Sequence, residues 1–247
     1  MMKIKVQSAS IGQHNNSSSR RNIYWIGGLV CMILTVYCIS TFLIFILIGP
    51  PPENIRECYT ILHENRLYGL LRLDILTVFA MPLYYLLFYS IYLTLKGTNK
   101  EFVTISIILT FVGLTLFLSC TSVFSILSLS DKYALAIDDS EKSQLLAAGE
   151  ALFSSDIWHG TSAFIGGLLL QTGGLLFSIA MLRSDVFSRI TAYTGIFIFG
   201  LDLVHILIIF FLPLLSNILL VIAGTFYILW FLLIGFRLFQ LGRVENQ

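Results

Sequence analysis

The chain has 247 residues, of which 57% are hydrophobic and 12% charged, with a formal net charge of +1 and a mean hydropathy of +0.86. Soluble domains carry about 25% charged residues, so this balance excludes an ordinary water-soluble globule, and the near-neutral charge excludes a nucleic-acid-binding field. The four cysteines, Cys31, Cys38, Cys58 and Cys120, show no CxxC or Cys/His ligand spacing, which argues against a disulfide framework or a zinc knuckle.

Residues 1–22 are polar, Ser/Asn-rich and basic, and read as a disordered cytoplasmic tail. The apolar run that follows, 23–49, is longer than a signal-peptide core of about 7–15 residues. It matches the roughly 20 residues that cross a bilayer and is taken as a retained first span. Further apolar runs follow at 67–95, 102–130, 157–182, 190–215 and 218–236, with a short C-terminal tail at 239–247. Backbone groups in lipid must be satisfied within their own segment, so each run is expected to be helical. The fifth and sixth are joined by a tight turn around Ser216–Asn217. The predicted fold is therefore an all-α, polytopic six-transmembrane-helix bundle occupying residues 23–238.

Charge orients it. Lys3, Lys5, Arg20, Arg21, Lys96, Lys100, Arg183, Arg189, Arg237 and Arg243 gather at alternate ends of the spans. Glu53, Glu57, Glu64, Asp131, Asp138, Asp139, Glu141, Glu150 and Asp156 gather at the opposite ends. The positive-inside rule then puts both termini in the cytoplasm and the acidic loops outside.

Two outer loops carry helical periodicity. Ile55, Cys58, Tyr59 and Leu62 fall at i, i+3, i+4 and i+7. In the second, Leu145, Leu146, Leu152 and Phe153 share a face, and Asp138 with Glu141 fits a capping box. Both read as short amphipathic helices on the outer surface, forming either a connector that lids the bundle or a gate over a cavity.

Ionisable residues in oil are the main functional signal, since a charge at the bilayer centre costs roughly 2.5–3.5 kcal/mol. Asp202 lies midway along span five. Thr191, Thr194, Gly195, Ile198, Asp202, His205 and Ile209 fall within about 60° of the centre line of one helical face. Span two has Asp74, Thr77, Met81, Tyr85, Phe88 and Tyr92 on one face and Pro82 in its middle. Asp202, His205 and Asp74 are thus the candidate polar path. In span four, Gly160, Gly167 and Gly174 recur every seven residues with Gln171 beside them, a small-residue packing face with one interhelical hydrogen-bonding group.

The pairs DIWH (156–159) and DLVH (202–205) place Asp and His at i, i+3, so Asp156, His159, Asp202 and His205 form a candidate metal set. Depth opposes it, because His205 lies roughly 10 Å below the boundary that Asp156 and His159 occupy. No cofactor is expected, with a metal ion the exception this spacing permits. WIGGL (25–29) and FIGGL (164–168), with RLD (72–74) and GLD (200–202) each ahead of a proline, hint at a 3+3 inverted repeat, a transporter plan.

The segments SILSLSDKYALA (125–136) and LRSDVFSRITAYTGI (182–196) carry L-S-L-S-x-x-Y and R-S-x-x-x-x-R patterns. In these, and in layout over roughly residues 20 to 240, the chain resembles a family of prokaryotic six-helix membrane proteins catalogued only as a domain of unknown function. The resemblance implies a multi-pass protein of the cell membrane and assigns no site residues.

Three functions are expected in order: a permease-like transporter of a small solute or ion using the Asp/His path, a non-catalytic scaffold, sensor or partner subunit, and an intramembrane metal-dependent hydrolase. Neither H-E-x-x-H nor G-x-S-x-G is present, which places the enzyme last. The lipid bilayer is the one partner implied, and oligomeric state is not written in the sequence.

Overall fold

The computed structural model describes the backbone of residues 2–156 and 160–244, and the side chains from Arg21 onward within those ranges. Its regular structure is entirely helical: α1 (Met2–Leu47), α2 (Ile55–Glu64), α3 (Arg66–Arg72), α4 (Ile75–Leu95), α5 (Lys100–Ser119), α6 (Val123–Leu135), α7 (Asp139–Phe153), α8 (Thr161–Leu182), α9 (Arg189–Ile208) and α10 (Pro213–Val244). Six segments are long and apolar enough to span a membrane: Arg21–Leu47 of α1, α4, Lys100–Leu135, α8, α9 and α10.

The spans pack as a closed ring in chain order. α1 touches α4, α4 touches α5, and α5 runs along α8. α8 then packs on α9, α9 on α10, and α10 returns to α1. The ring's centre is aromatic, with Phe88, Phe177, Phe199, Trp230 and Phe231 fully buried. Phe88 stacks on Phe177 at 5.6 Å and Phe199 meets Trp230 edge-on at 5.2 Å. Outward positions such as Val36, Ile46, Phe79, Ile108, Leu207 and Val221 are exposed apolar side chains, the surface that hydrocarbon wets. Buried hydroxyls bond back to carbonyls of their own helix, as Thr35 does to Cys31, Thr110 to Ser106 and Ser178 to Gly174.

The α5–α8 seam is the closest. A Cβ on Gly113 would lie 2.4 Å from the Leu170 nitrogen, one on Gly166 2.8 Å from the Phe117 nitrogen, and one on Gly173 2.2 Å from Thr110 Oγ1. The seven-residue repeat divides differently. Gly167 and Gly174 face Ile206 and Phe199 of α9, while Gly160 is the N-cap of α8 against the Ser155 carbonyl.

Three span boundaries differ from the sequence reading. The third apolar run breaks at Cys120–Ser122, and its second half, α6, packs on α2 and α7. Span two breaks at Leu73–Asp74, where Asp74 adopts a left-handed φ of 58°, whereas α4 runs through Pro82 without interruption. Asp tolerates this region better than most residues because its short side chain bonds locally. The last turn lies at residues 209–212, not at Ser216–Asn217: Pro213 opens α10, where its fixed φ and missing N–H suit a first helical position. Helix α1 also extends back to Met2 through residues expected to be a disordered tail; propagating an existing helix needs no new nucleus.

Helices α2, α3, α6 and α7 form a cap over one end of the ring. Its separate core is Ile55, Cys58, Tyr59, Leu62, Ile126 and Phe153, so the face read from the i, i+3, i+4, i+7 pattern of α2 is the buried one. Asn54 and Asn65 cap α2 and α3, and Asp138 caps α7 by accepting from the Ser140 N–H. The L-S-L-S-x-x-Y segment is the α6 side of this core: Ser130 donates to the Tyr59 carbonyl, and Tyr133 lies 5.2 Å from the Tyr59 ring.

Candidate functional site

Asp202 sits on α9 inside the ring and is 5% exposed. Its Oδ2 accepts from Gln171 Nε2 of α8 at 3.0 Å and from the Tyr227 hydroxyl of α10 at 2.8 Å. Gln171 Oε1 is also 3.1 Å from that hydroxyl, whose single hydrogen serves one acceptor at a time. Three helices are thereby pinned at one point. Asp202 Oδ1, however, has no hydrogen-bond partner among the described residues, and neither has the buried Trp230 Nε1. Native buried polar atoms are rarely left unpaired, and no Lys, Arg or His among the described residues forms an ion pair with this carboxylate. A carboxylate with neutral donors on one oxygen leaves the second able to carry a proton.

The other predicted residues go elsewhere. His205 turns to α10, where its Nδ1 is 2.6 Å from Ser216 Oγ and 3.0 Å from the Ser216 carbonyl. It therefore ties the α9–α10 hairpin and does not join Asp202. Asp74 stands at the foot of the cap, accepting from Thr77 Oγ1 at 2.5 Å, and Thr77 Oγ1 is 2.6 Å from the Tyr37 hydroxyl of α1. Asp156 is buried at the end of the α7 segment. His159 lies outside the described residues, and among those described no group of three or more His, Cys, Asp or Glu is gathered as a metal cage.

A cavity of about 210 Å³ opens between cap and ring, lined by Arg72, Asp74, Thr121, Ser122, Phe153 and Asp156 among others. It forms where the breaks in spans two and three meet the end of α7. Arg72 clamps its rim, donating from Nη2 to Glu57 Oε1 at 2.6 Å and from Nε to the Pro50 carbonyl at 2.6 Å. The Glu57 carboxyl is held below its usual range, first by the Glu53 N–H and then by Arg72. Burial pushes the Cys58 thiol up to about 12, with Glu57 and Asp156 adding to the effect.

Tyr227, Tyr37 and Thr77 were not legible as site residues. Thr77 was placed on the Asp74 face, but nothing in a sequence says which tyrosine on another helix meets a given acid. Gly166 and Gly173 had a signal, the doubled glycines of α8, that the seven-residue repeat obscured.

The fold and its lipid-matched surface define a multi-pass membrane protein. Comparison with protein-family models, with curated proteins and with solved structures finds no match, so the activity has to be argued from the site.

Proposed function

We propose that this protein is a permease-like transporter of the cell membrane, with both termini cytoplasmic, in which Asp202 is the titratable centre of a small-solute or ion pathway. The observation that carries this is the bare Asp202 Oδ1 at the heart of a six-helix ring. A carboxylate kept only to lock helices would have both oxygens satisfied, because an unpaired polar atom in the interior costs about 1–3 kcal/mol. The cavity on the cap side gives the pathway a mouth. An inverted repeat fits the packing: Gly27 packs between spans two and six, against Ser90 and Leu238, while Gly166 and Gly167 pack against spans three and five. The cap end carries the acids and the other end the basic turns, which supports cytoplasmic termini.

The bonds from Gln171 and Tyr227 to Asp202 favour a second reading, a scaffold locked at this point. Asp202→Asn separates the two, because the amide oxygen still accepts both bonds. In liposomes loaded with a pH dye, the variant is expected to fold normally and lose the wild-type proton flux driven by a pH gradient. Equal flux in both proteins would reject the transporter reading and leave the scaffold.

A further inference from the structure

The geometry points to a route as well as a centre: we infer that Asp74, Thr77 and Tyr37 form a hydroxyl relay carrying protons between the cap cavity and Asp202. This rests on Asp202 being titratable, as proposed above. Asp74 lines the cavity, and its carboxylate is the end of a chain of two short hydrogen bonds leading inward from α4 to α1. Thr77 is 2% exposed, so the link between the two helices is shielded from lipid and water alike.

The hydrogens of the chain can be counted. An ionised Asp74 only accepts, and Thr77 has one hydrogen, which it gives to Asp74. Tyr37 must then donate to Thr77. Both hydroxyls point at the acid, which is the arrangement for an empty relay. When a proton from cavity water binds Asp74, the acid becomes a donor, and the Thr77 and Tyr37 hydroxyls turn inward to accept from it. It passes a proton to Thr77 Oγ1, Thr77 passes its own to Tyr37 Oη, and Tyr37 releases its own inward. Each O–H bond formed is matched by one broken, Asp74 ends as a carboxylate, and the hydrogens received by Thr77 and Tyr37 point back toward it, as before the cycle. The inward acceptor is Asp202. Tyr84 of α4, buried in the same core, meets Phe231 edge-on at 5.8 Å, and Phe231 stacks on Tyr227, which donates to Asp202.

The charged and titratable groups around each end are few. Asp74 faces Arg72 and Asp156 across the cavity, Tyr37 through Thr77, and the hydroxyls of Thr121 and Ser122 at the α5–α6 break. Asp202 meets Tyr227 from α10, Gln171 from α8 and Tyr84 from α4, with His205 one turn along α9. Cys31 and Cys38 of α1 are also near Tyr84.

Infrared difference spectra of the full chain in nanodiscs, recorded after a rapid drop in pH, test this. The carboxylic C=O band that Asp202→Asn removes reports protonation of the centre. Thr77→Val and Tyr37→Phe are each expected to slow the rise of that band by about a hundredfold, the scale of one well-placed proton-transfer group. Its final amplitude should be unchanged, and Thr77→Ser should restore the wild-type rate. If Thr77→Val fails to fold, Tyr37→Phe, which keeps the ring, decides the matter. A band rising at the wild-type rate in both variants would overturn the relay and leave the titratable centre standing. No Asp202 band at any pH would overturn both.

Discussion

The cap and the ring solve the same problem, joining helices, with different chemistry. In the cap, α2 and α3 start at asparagine caps and α7 at an aspartate cap, and charged pairs link α2 to α3 and α3 to α6. Its core is six side chains on amphipathic faces. In the ring many hydroxyls bond their own backbones, glycines let helices touch, and the deeply buried Asp202 carboxylate is held by neutral partners. The difference follows from solvent. Water pulls polar faces outward and so drives the cap's apolar faces together, while lipid is as apolar as leucine and leaves packing and rare polar contacts to do the joining.

If that contrast is right, damage should scale with region. The largest effect is expected for Gly113→Val, because a side chain there meets the backbone of α8, which has no rotamer to yield. A loss of about 3 kcal/mol is expected from forced overpacking, read as an earlier transition when helicity is followed during denaturing-detergent titration. A variant as stable as wild type would show that α5 and α8 do not meet at this seam.

Arg72→Ala should come next, and it should act locally. Losing the bonds to Glu57 and Pro50 is expected to cost the cap about 1 kcal/mol while sparing the ring. Cys58 is 1% exposed, so its rate of labelling by a thiol reagent reports cap opening and should rise several-fold. Acid should loosen the same joint. The Glu57 carboxyl is held below its ordinary value, so its contribution is full above the ordinary glutamate range and is lost as pH falls through the lowered value. Hydrogen-exchange protection of α2 should therefore fall in acid sooner than that of α8.

Arg66→Ala should do least. The Arg66–Asp131 pair links α3 to α6, but its side chains are 58% and 57% exposed. Under about 0.5 kcal/mol is expected, fading with salt. A larger loss would mean that the cap depends on its surface charges more than on its core.

How legible each region was follows from the same physics. The α2 face could be read residue by residue because water imposes a period of 3.6 on it. The break at Asp74 could not, since its cause is a single left-handed residue within an apolar run, and Pro82, the visible helix breaker, sits inside an intact helix. Asp202 could be singled out by its cost in oil, yet the i, i+3 spacing that suggested His205 as its partner counted only neighbours on one helix. His205 bonds Ser216 instead, and Asp202 bonds residues 31 positions before and 25 positions after it.

The sequence alone determined what the solvent dictates: that the chain lives in lipid, how many times it crosses, which loops are amphipathic and which charges are costly. Those properties are local sums over composition and period, and they need no knowledge of neighbours. The closed ring, the split of the third span into ring and cap, the meeting of Gln171, Asp202 and Tyr227, and the chain from Asp74 to Tyr37 were decided by tertiary structure. Each depends on the relative position of helices that share no sequence signal, because in lipid any apolar face can meet any other until steric fit and a few polar groups choose the pair.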